Sequence, residues 1–233
     1  MNETIGNAHF FSPAQLHLLT NVMTTQRVKS GGLLFQDGDV AGKLYYLLKG
    51  RVKTTKTTPE GKTFILNIYT TGDIFGQFEA YPSATCAYDG EAMEDSELGV
   101  ILQKDLDLLL WQHTELALSF MKWMATMQRI TETKVRDLIL YGKSGALCSS
   151  LIRLCHSFGT ENTVGEITID QKLTNSELAE MIGATRESVN RMLNDLKQKG
   201  VLDFEHGIIL VKDINYLQEV CHCENCSYQV CRI

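Results

Sequence analysis

The sequence predicts an α+β chain in three parts: a β-roll, one long helix, and a C-terminal helix-turn-helix followed by a small hairpin. Three observations carry that reading. Residues Arg27 to Leu102 are short apolar runs separated by glycine turns. From Gln103 there is neither proline nor glycine until Gly142, and Thr174 to Gly200 reads as two helices about a glycine turn.

In the first part, Lys29–Phe35 (KSGGLLF) and Leu44–Gly50 (LYYLLKG) are strand-like. Asp37–Asp39, Pro59–Lys62 and Gly72–Asp73 supply the turns. Regular turns between short apolar runs imply an antiparallel roll or barrel. In the second part Leu116, Phe120, Met124, Met127, Thr131, Val135 and Leu138 recur at intervals of three and four, one stripe along a helix of about 25 to 30 residues. Such a stripe suits packing against the same helix of a second subunit; the alternative is a spine buried within one chain. After a break at Tyr141–Ala146, another helix spans Leu147–Phe158 and a polar loop spans Gly159–Gly165. Thr174–Ile182 then reads as a capped helix, Gly183–Thr185 as a tight turn, and Arg186–Lys199 as a second helix ending at Gly200. Val201–Phe204 and Gly207–Val211 form the hairpin, turning at Glu205 and His206. The expected divisions are 1–105, 106–142, 143–217 and 218–233.

With 22 Lys and Arg against 28 Asp and Glu, and 44% hydrophobic residues, the 233-residue chain is globular in composition, enough for one or two domains. Neither a disordered nor a collagenous chain looks like this. No run approaches the roughly 18 to 20 apolar residues of a membrane span, and Met1–Asn21 lacks a signal peptide's basic start and apolar block. A cytoplasmic protein is expected. The net charge of -6 supplies no general basic field, so DNA binding must come from a local patch.

That patch lies at the start of the second helix of the pair, the end that enters the major groove in a helix-turn-helix. Arg186, Glu187, Asn190 and Arg191 stand there at spacings that share one face. Arginine can donate twice to guanine and glutamate can accept from cytosine, so the set suits a site containing G·C pairs. Thr185, Ser188, Lys197 and Lys199 read as phosphate contacts or solvated groups. The plain alternative is an exposed helix with ion pairs.

Together these residues resemble the CRP/FNR superfamily of bacterial transcription regulators. Gly32–Asp39 (GLLFQDGD), Leu44–Gly50, Gly72–Gly76 (GDIFG) and Thr185–Arg191 (TRESVNR) carry the resemblance, which covers nearly the whole chain. It implies a cyclic-nucleotide-binding-like β-roll, a dimerisation helix and a C-terminal winged helix. The implied activity is a homodimer on a palindromic promoter site with TGTGA-like half-sites, with RNA polymerase as a further partner. Members that bind cyclic AMP carry a Gly-Glu pair and then an Arg-Ser or Arg-Thr pair. This chain has Gly76 and Gln77, no arginine through Ala80–Tyr88, and an extra negative charge at Glu79. A phosphate buried without a cation is costly, so no cyclic-nucleotide site is expected.

Four of the seven cysteines, Cys221, Cys223, Cys226 and Cys231, fall in the last thirteen residues. The spacing Cys223-x2-Cys226-x4-Cys231 lets three thiolates converge on zinc or an iron–sulfur cluster, outside the expected core. Cys86, Cys148 and Cys155 read instead as core residues. The tail, with no cysteine before Arg27, is similar to the Fnr subgroup of bacilli. The resemblance implies one 4Fe-4S cluster per subunit, held by Cys223, Cys226 and Cys231 with Asp137 as fourth ligand, and an oxygen-responsive regulator of anaerobic genes. Chemistry alone leaves Cys221 and His222 as alternatives for the fourth position, and a solvated helix carboxylate as the alternative for Asp137. Structural zinc and a thiol–disulfide switch are the competing readings of the tail. No nucleophile–base set or phosphate loop is present: Gly142–Gly145 lacks the first glycine of such a loop, so no catalytic residue is expected.

Overall fold

The computed structural model describes residues 6–79, 81, 83–205 and 207–233, the side chain of Glu205 excepted. Ala80 and Pro82 of the stretch without arginine, and His206 of the hairpin turn, lie outside the described residues. The chain divides between Ala125 and Thr126 into two compact units.

The N-terminal unit opens with a 3-10 turn at Asn7–Phe10 and helix α1 (Pro13–Asn21), started by a reciprocal Ser12–Gln15 capping box. Eight strands follow: β1 (Thr24–Val28), β2 (Leu33–Phe35), β3 (Lys43–Lys49), β4 (Arg51–Thr57), β5 (Thr63–Thr70), β6 (Ile74–Gln77), β7 (Asp89–Ala92) and β8 (Ser96–Leu102). They form two antiparallel sheets in the orders β1-β8-β3-β6 and β2-β7-β4-β5. Alternation along the strands sends Phe35, Tyr45, Leu47, Val52, Phe75 and Leu98 into a shared core. The aromatic members stack there, Tyr69 on Phe75 at 4.4 Å and Tyr45 on Phe75 at 5.4 Å between ring centres. Asn7 ties the 3-10 turn to β6, donating from its amide to Ile74 O at 2.9 Å and accepting from Ile74 N at 2.6 Å.

A separate short helix precedes the expected long one. Helix α2 (Gln103–Gln112) ends at His113, and α3 runs from Thr114 to Leu140. The stripe on α3 also departs from expectation. Leu116, Phe120 and the unforeseen Trp123 are buried within the chain, while Met121, Met124 and Val135 are exposed. With Gln128 and Thr131, which are also exposed, they make a three-four-three-four row that shares Met124, Thr131 and Val135 with the predicted stripe but not its Leu116 and Phe120. The periodicity was common to both rows; which one packs inward depends on where the roll lies against the first turns.

In the C-terminal unit, α4 spans Gly142–Phe158, so the break is confined to Tyr141. Gly145 lies inside the helix because the Tyr141 side chain leaves no room for a Cβ. Buried Leu147, Cys148, Leu151, Ile152, Leu154 and Cys155 face the core. The loop expected at 159–165 instead begins β9 (Gly159–Glu161), which pairs with β10 (Ile167–Ile169). Helices α5 (Asn175–Met181) and α6 (Arg186–Gln198) follow, then β11 (Leu202–Glu205) and β12 (Ile208–Val211), then α7 (Ile214–Val220). The sheet order is β11-β12-β10-β9, so the hairpin is completed by two strands of three residues each. No helix of the described residues is long and apolar enough to cross a membrane.

Candidate nucleic-acid interface and the C-terminal tail

Local chemistry builds α5 and α6 before packing joins them. Thr174 caps α5, accepting from Glu177 N at 3.1 Å while the Glu177 carboxylate accepts from Thr174 N at 2.7 Å. Gly183 adopts φ +61°, the left-handed conformation that ends α5, and Ala184 N reaches back to Ala179 O at 2.9 Å. Thr185 then caps α6 by accepting from Ser188 N at 3.2 Å. Leu178, Ala179 and Ile182 meet Val189, Leu193 and Leu196 as buried residues, which fixes α6 with one face outward.

On that outward face Arg186, Glu187, Asn190 and Arg191 are all exposed. Arg186, Glu187 and Arg191 have no ion-pair partner among the described residues, so their donors and acceptors face solvent. Asn190 accepts at its oxygen from Asn175 Nδ2 at 2.7 Å, leaving its own amide to donate outward. Thr185 and Ser188 are spent on the cap: beyond the backbone bond, Thr185 Oγ1 donates to Ser188 Oγ at 3.0 Å. The lysines expected as phosphate contacts or solvated groups form ion pairs within the chain. Lys197 pairs with Asp203 of β11 at 2.6 Å, and Lys199 pairs with Asp195 at 2.8 Å and donates to Tyr216 OH at 3.1 Å. Those bonds hold the Lys199 ammonium above its ordinary range, the bond to Asp195 first among them.

The roll contains a cavity of about 380 Å³ lined by Phe35, Asp39, Lys43, Tyr45, Gln77 and Cys86, among others. Gln77 stands where cyclic-AMP-binding members of the superfamily carry the glutamate of the Gly-Glu pair. Its side chain bonds the neighbouring loop, accepting from Ala87 N at 2.7 Å and donating to Tyr88 O at 3.4 Å. Arg27 and Arg51 pair with Glu97 and Glu94.

The tail lies against its own unit rather than outside the core. Cys221, Val230, Cys231 and Ile233 are buried; Cys223 and Cys226 are half-buried. Burial pushes the Cys231 thiol up to about 11 and the Cys221 thiol up to about 12, with neighbouring thiols and Asp137 adding to the effect. Neither is the accessible, low-pKa thiolate that a disulfide switch uses. Asp137 is not the solvated carboxylate of the alternative reading, being 3% exposed. It accepts from Arg153 at 3.0 Å, from Arg136 at 2.7 Å, and from the Ser149 hydroxyl.

Three thiols and a carboxylate are suitable donors for an iron–sulfur cluster. As folded, no three His, Cys, Asp or Glu among the described residues are grouped to hold a metal ion. Both Asp137 oxygens already carry donors, Cys231 is buried, and Cys223 Sγ accepts from Asn225 N at 3.4 Å.

Residues 25–113 match the family model of the cyclic nucleotide-binding domain, and residues 145–220 that of the Crp-like helix-turn-helix domain. The chain is 39% identical over 218 residues to the "Anaerobic regulatory protein" of Bacillus subtilis, covering 93% of this chain and 91% of that one. It is 24% identical to a "CRP-like cAMP-activated global transcriptional regulator" of Mycobacterium tuberculosis over 91% of this chain and 96% of that one. Among solved structures it resembles FixK2 from Bradyrhizobium japonicum, with TM-score 0.75, 18% identity, and 85% and 97% of the two chains covered. A CooA mutant from Carboxydothermus hydrogenoformans gives TM-score 0.76 at 23% identity, with 87% and 89% covered. The resemblance to the Fnr subgroup of bacilli through a C-terminal metal-binding cysteine set is corrected: the kinship with the Bacillus protein rests on identity along the chain, and no such set is assembled among the described residues.

Proposed function

We propose, from the premise that the chain belongs to the CRP/FNR family of DNA-binding, non-catalytic transcription regulators, that it acts as a homodimer on a palindromic promoter site. The observation that carries this is the start of α6, where capped backbone presents Arg186, Glu187 and Arg191 outward with no ion-pair partner among the described residues. Arg186 and Arg191 offer paired donors to guanine and Glu187 an acceptor to cytosine, and Asn190 adds one amide donor. The exposed row Met121, Met124, Gln128, Thr131 and Val135 is the face offered to a second copy, which would set two α6 helices about one turn of DNA apart. RNA polymerase is the expected partner at the promoter. Gel-shift titration on a TGTGA-like palindrome, on one half-site and on unrelated DNA tests this: equal affinity for all three would overturn it.

The finer part of the proposal concerns the signal. Oxygen response through a 4Fe-4S cluster is supported by the donor chemistry of Cys223, Cys226 and Cys231, and by a relative whose name describes anaerobic regulation. Such a cluster would supply lability in air. Asp137 could join the set only after giving up its present donors. Anaerobic purification followed by iron, sulfide and zinc analysis tests this part separately: about four iron and four sulfide per chain support it. Zinc alone would make the tail structural, and absence of both metals would remove the cluster.

A further inference from the structure

Arg153 of α4 is a buried guanidinium, 4% exposed, in the second turn from the helix end. A buried charge costs several kcal/mol unless it is neutralised and its donors are used. Its Nη2 donates to Asp137 Oδ2 at 3.0 Å and to Thr133 Oγ1 at 3.1 Å, both on α3. Its Nη1 donates to the backbone oxygens of Val230 at 3.2 Å and Arg232 at 3.5 Å, in the tail.

Around this centre the tail is held at further points. His156 Nδ1 lies 3.0 Å from Cys231 O, and Ile233 N donates to Ser157 Oγ at 3.1 Å. Arg136 bridges Asp137 and Glu224, so two arginines gripping the tail share one carboxylate. Asp137 Oδ1 receives Arg136 Nε and Nη2, and Oδ2 receives Arg153 and Ser149.

We infer that Arg153 is the post on which the C-terminal tail docks, with Asp137 as its counter-charge, and that this docking needs no metal. Every partner in it comes from the chain. Removing Asp137 to any other ligand strips Arg153 of its neutralising charge and loosens its hold on the Val230 and Arg232 carbonyls. Docked tail and freed carboxylate are therefore alternative states of one element, and α3, whose outer face carries Val135, is where the exchange is felt. The inference does not depend on what the tail cysteines bind.

The test uses the full chain kept metal-free with chelator and reductant, followed by hydrogen-exchange mass spectrometry of residues 223–233. The wild-type tail should be protected. The double variant Arg153→Met with Asp137→Leu removes both members of the pair, and Arg136 keeps Glu224 as its partner. It should speed tail exchange at least tenfold while exchange in α5 and α6 and the melting temperature hold. Arg153→Lys keeps the charge but not the fork that spans two carbonyls, and should loosen the tail by a smaller factor if the double variant does not fold. A wild-type tail exchanging like a free peptide, or a variant tail as protected as wild type, would overturn the inference.

Discussion

Replacing Arg186 by alanine separates base reading from folding. Arg186 is exposed and without an ion-pair partner among the described residues, so truncation leaves no group unsatisfied in the chain. It also sits in the first turn of α6, where a positive charge faces the positive end of the helix; its removal should cost nothing and gain at most about 1 kcal/mol. A bidentate arginine–guanine contact contributes about 1–3 kcal/mol of discrimination. Two copies meet a palindrome, so the dimer should lose about 2–6 kcal/mol, between ~30-fold and ~20,000-fold in affinity. Fluorescence anisotropy at one fixed salt concentration would read this, on the palindrome and on a version whose half-site G·C pairs are exchanged for A·T. The variant should lose the preference for the first. An equal loss on both, with the salt slope reduced by about one per subunit, would make Arg186 a phosphate contact and refute the base-reading argument. An unchanged affinity would remove it from the interface.

Val135→Glu places like charges on the exposed row of α3, and sedimentation should show monomers at concentrations where the parent is dimeric, with stability within about 0.5 kcal/mol. Leu193→Ala empties a position 2% exposed under α6 and should cost about 2–5 kcal/mol in denaturant titration; less than about 1 would mean that α6 is not packed as described. Burial pushes Tyr45 and Tyr88 from 10.0 up to about 12, so both stay protonated in the fold while the unfolded chain ionises. Their stability contribution is complete below pH 10 and is lost as pH rises from about 10 to about 12, on the order of 2 kcal/mol each; Tyr45→Phe with Tyr88→Phe should flatten that decline in melting temperature.

Local rules were enough for the helix pair. Thr174 with Glu177, Gly183, Thr185 and Gly200 mark the ends of α5 and α6, because caps and left-handed turns use neighbours within a few residues. The glycine-spaced strands of the roll and the length of α3 were legible for the same reason. Chemical identity at α6 and in the tail could likewise be read directly, as could the missing arginine after Gly76.

Partnership at a distance was not legible. Lys197 finds Asp203 across the turn into β11, Asn190 finds Asn175 on the preceding helix, and β9 is a strand only because β10 lies beside it. The row of α3 facing outward was decided by which turns the core covers. Asp137 shows the difference most plainly: its neighbours in sequence suggest an open carboxylate, whereas Ser149 and Arg153 arrive from α4 to fill it. Burial made that pairing obligatory, because a carboxylate and a guanidinium removed from water must satisfy each other, and only the tertiary fold brings them within reach.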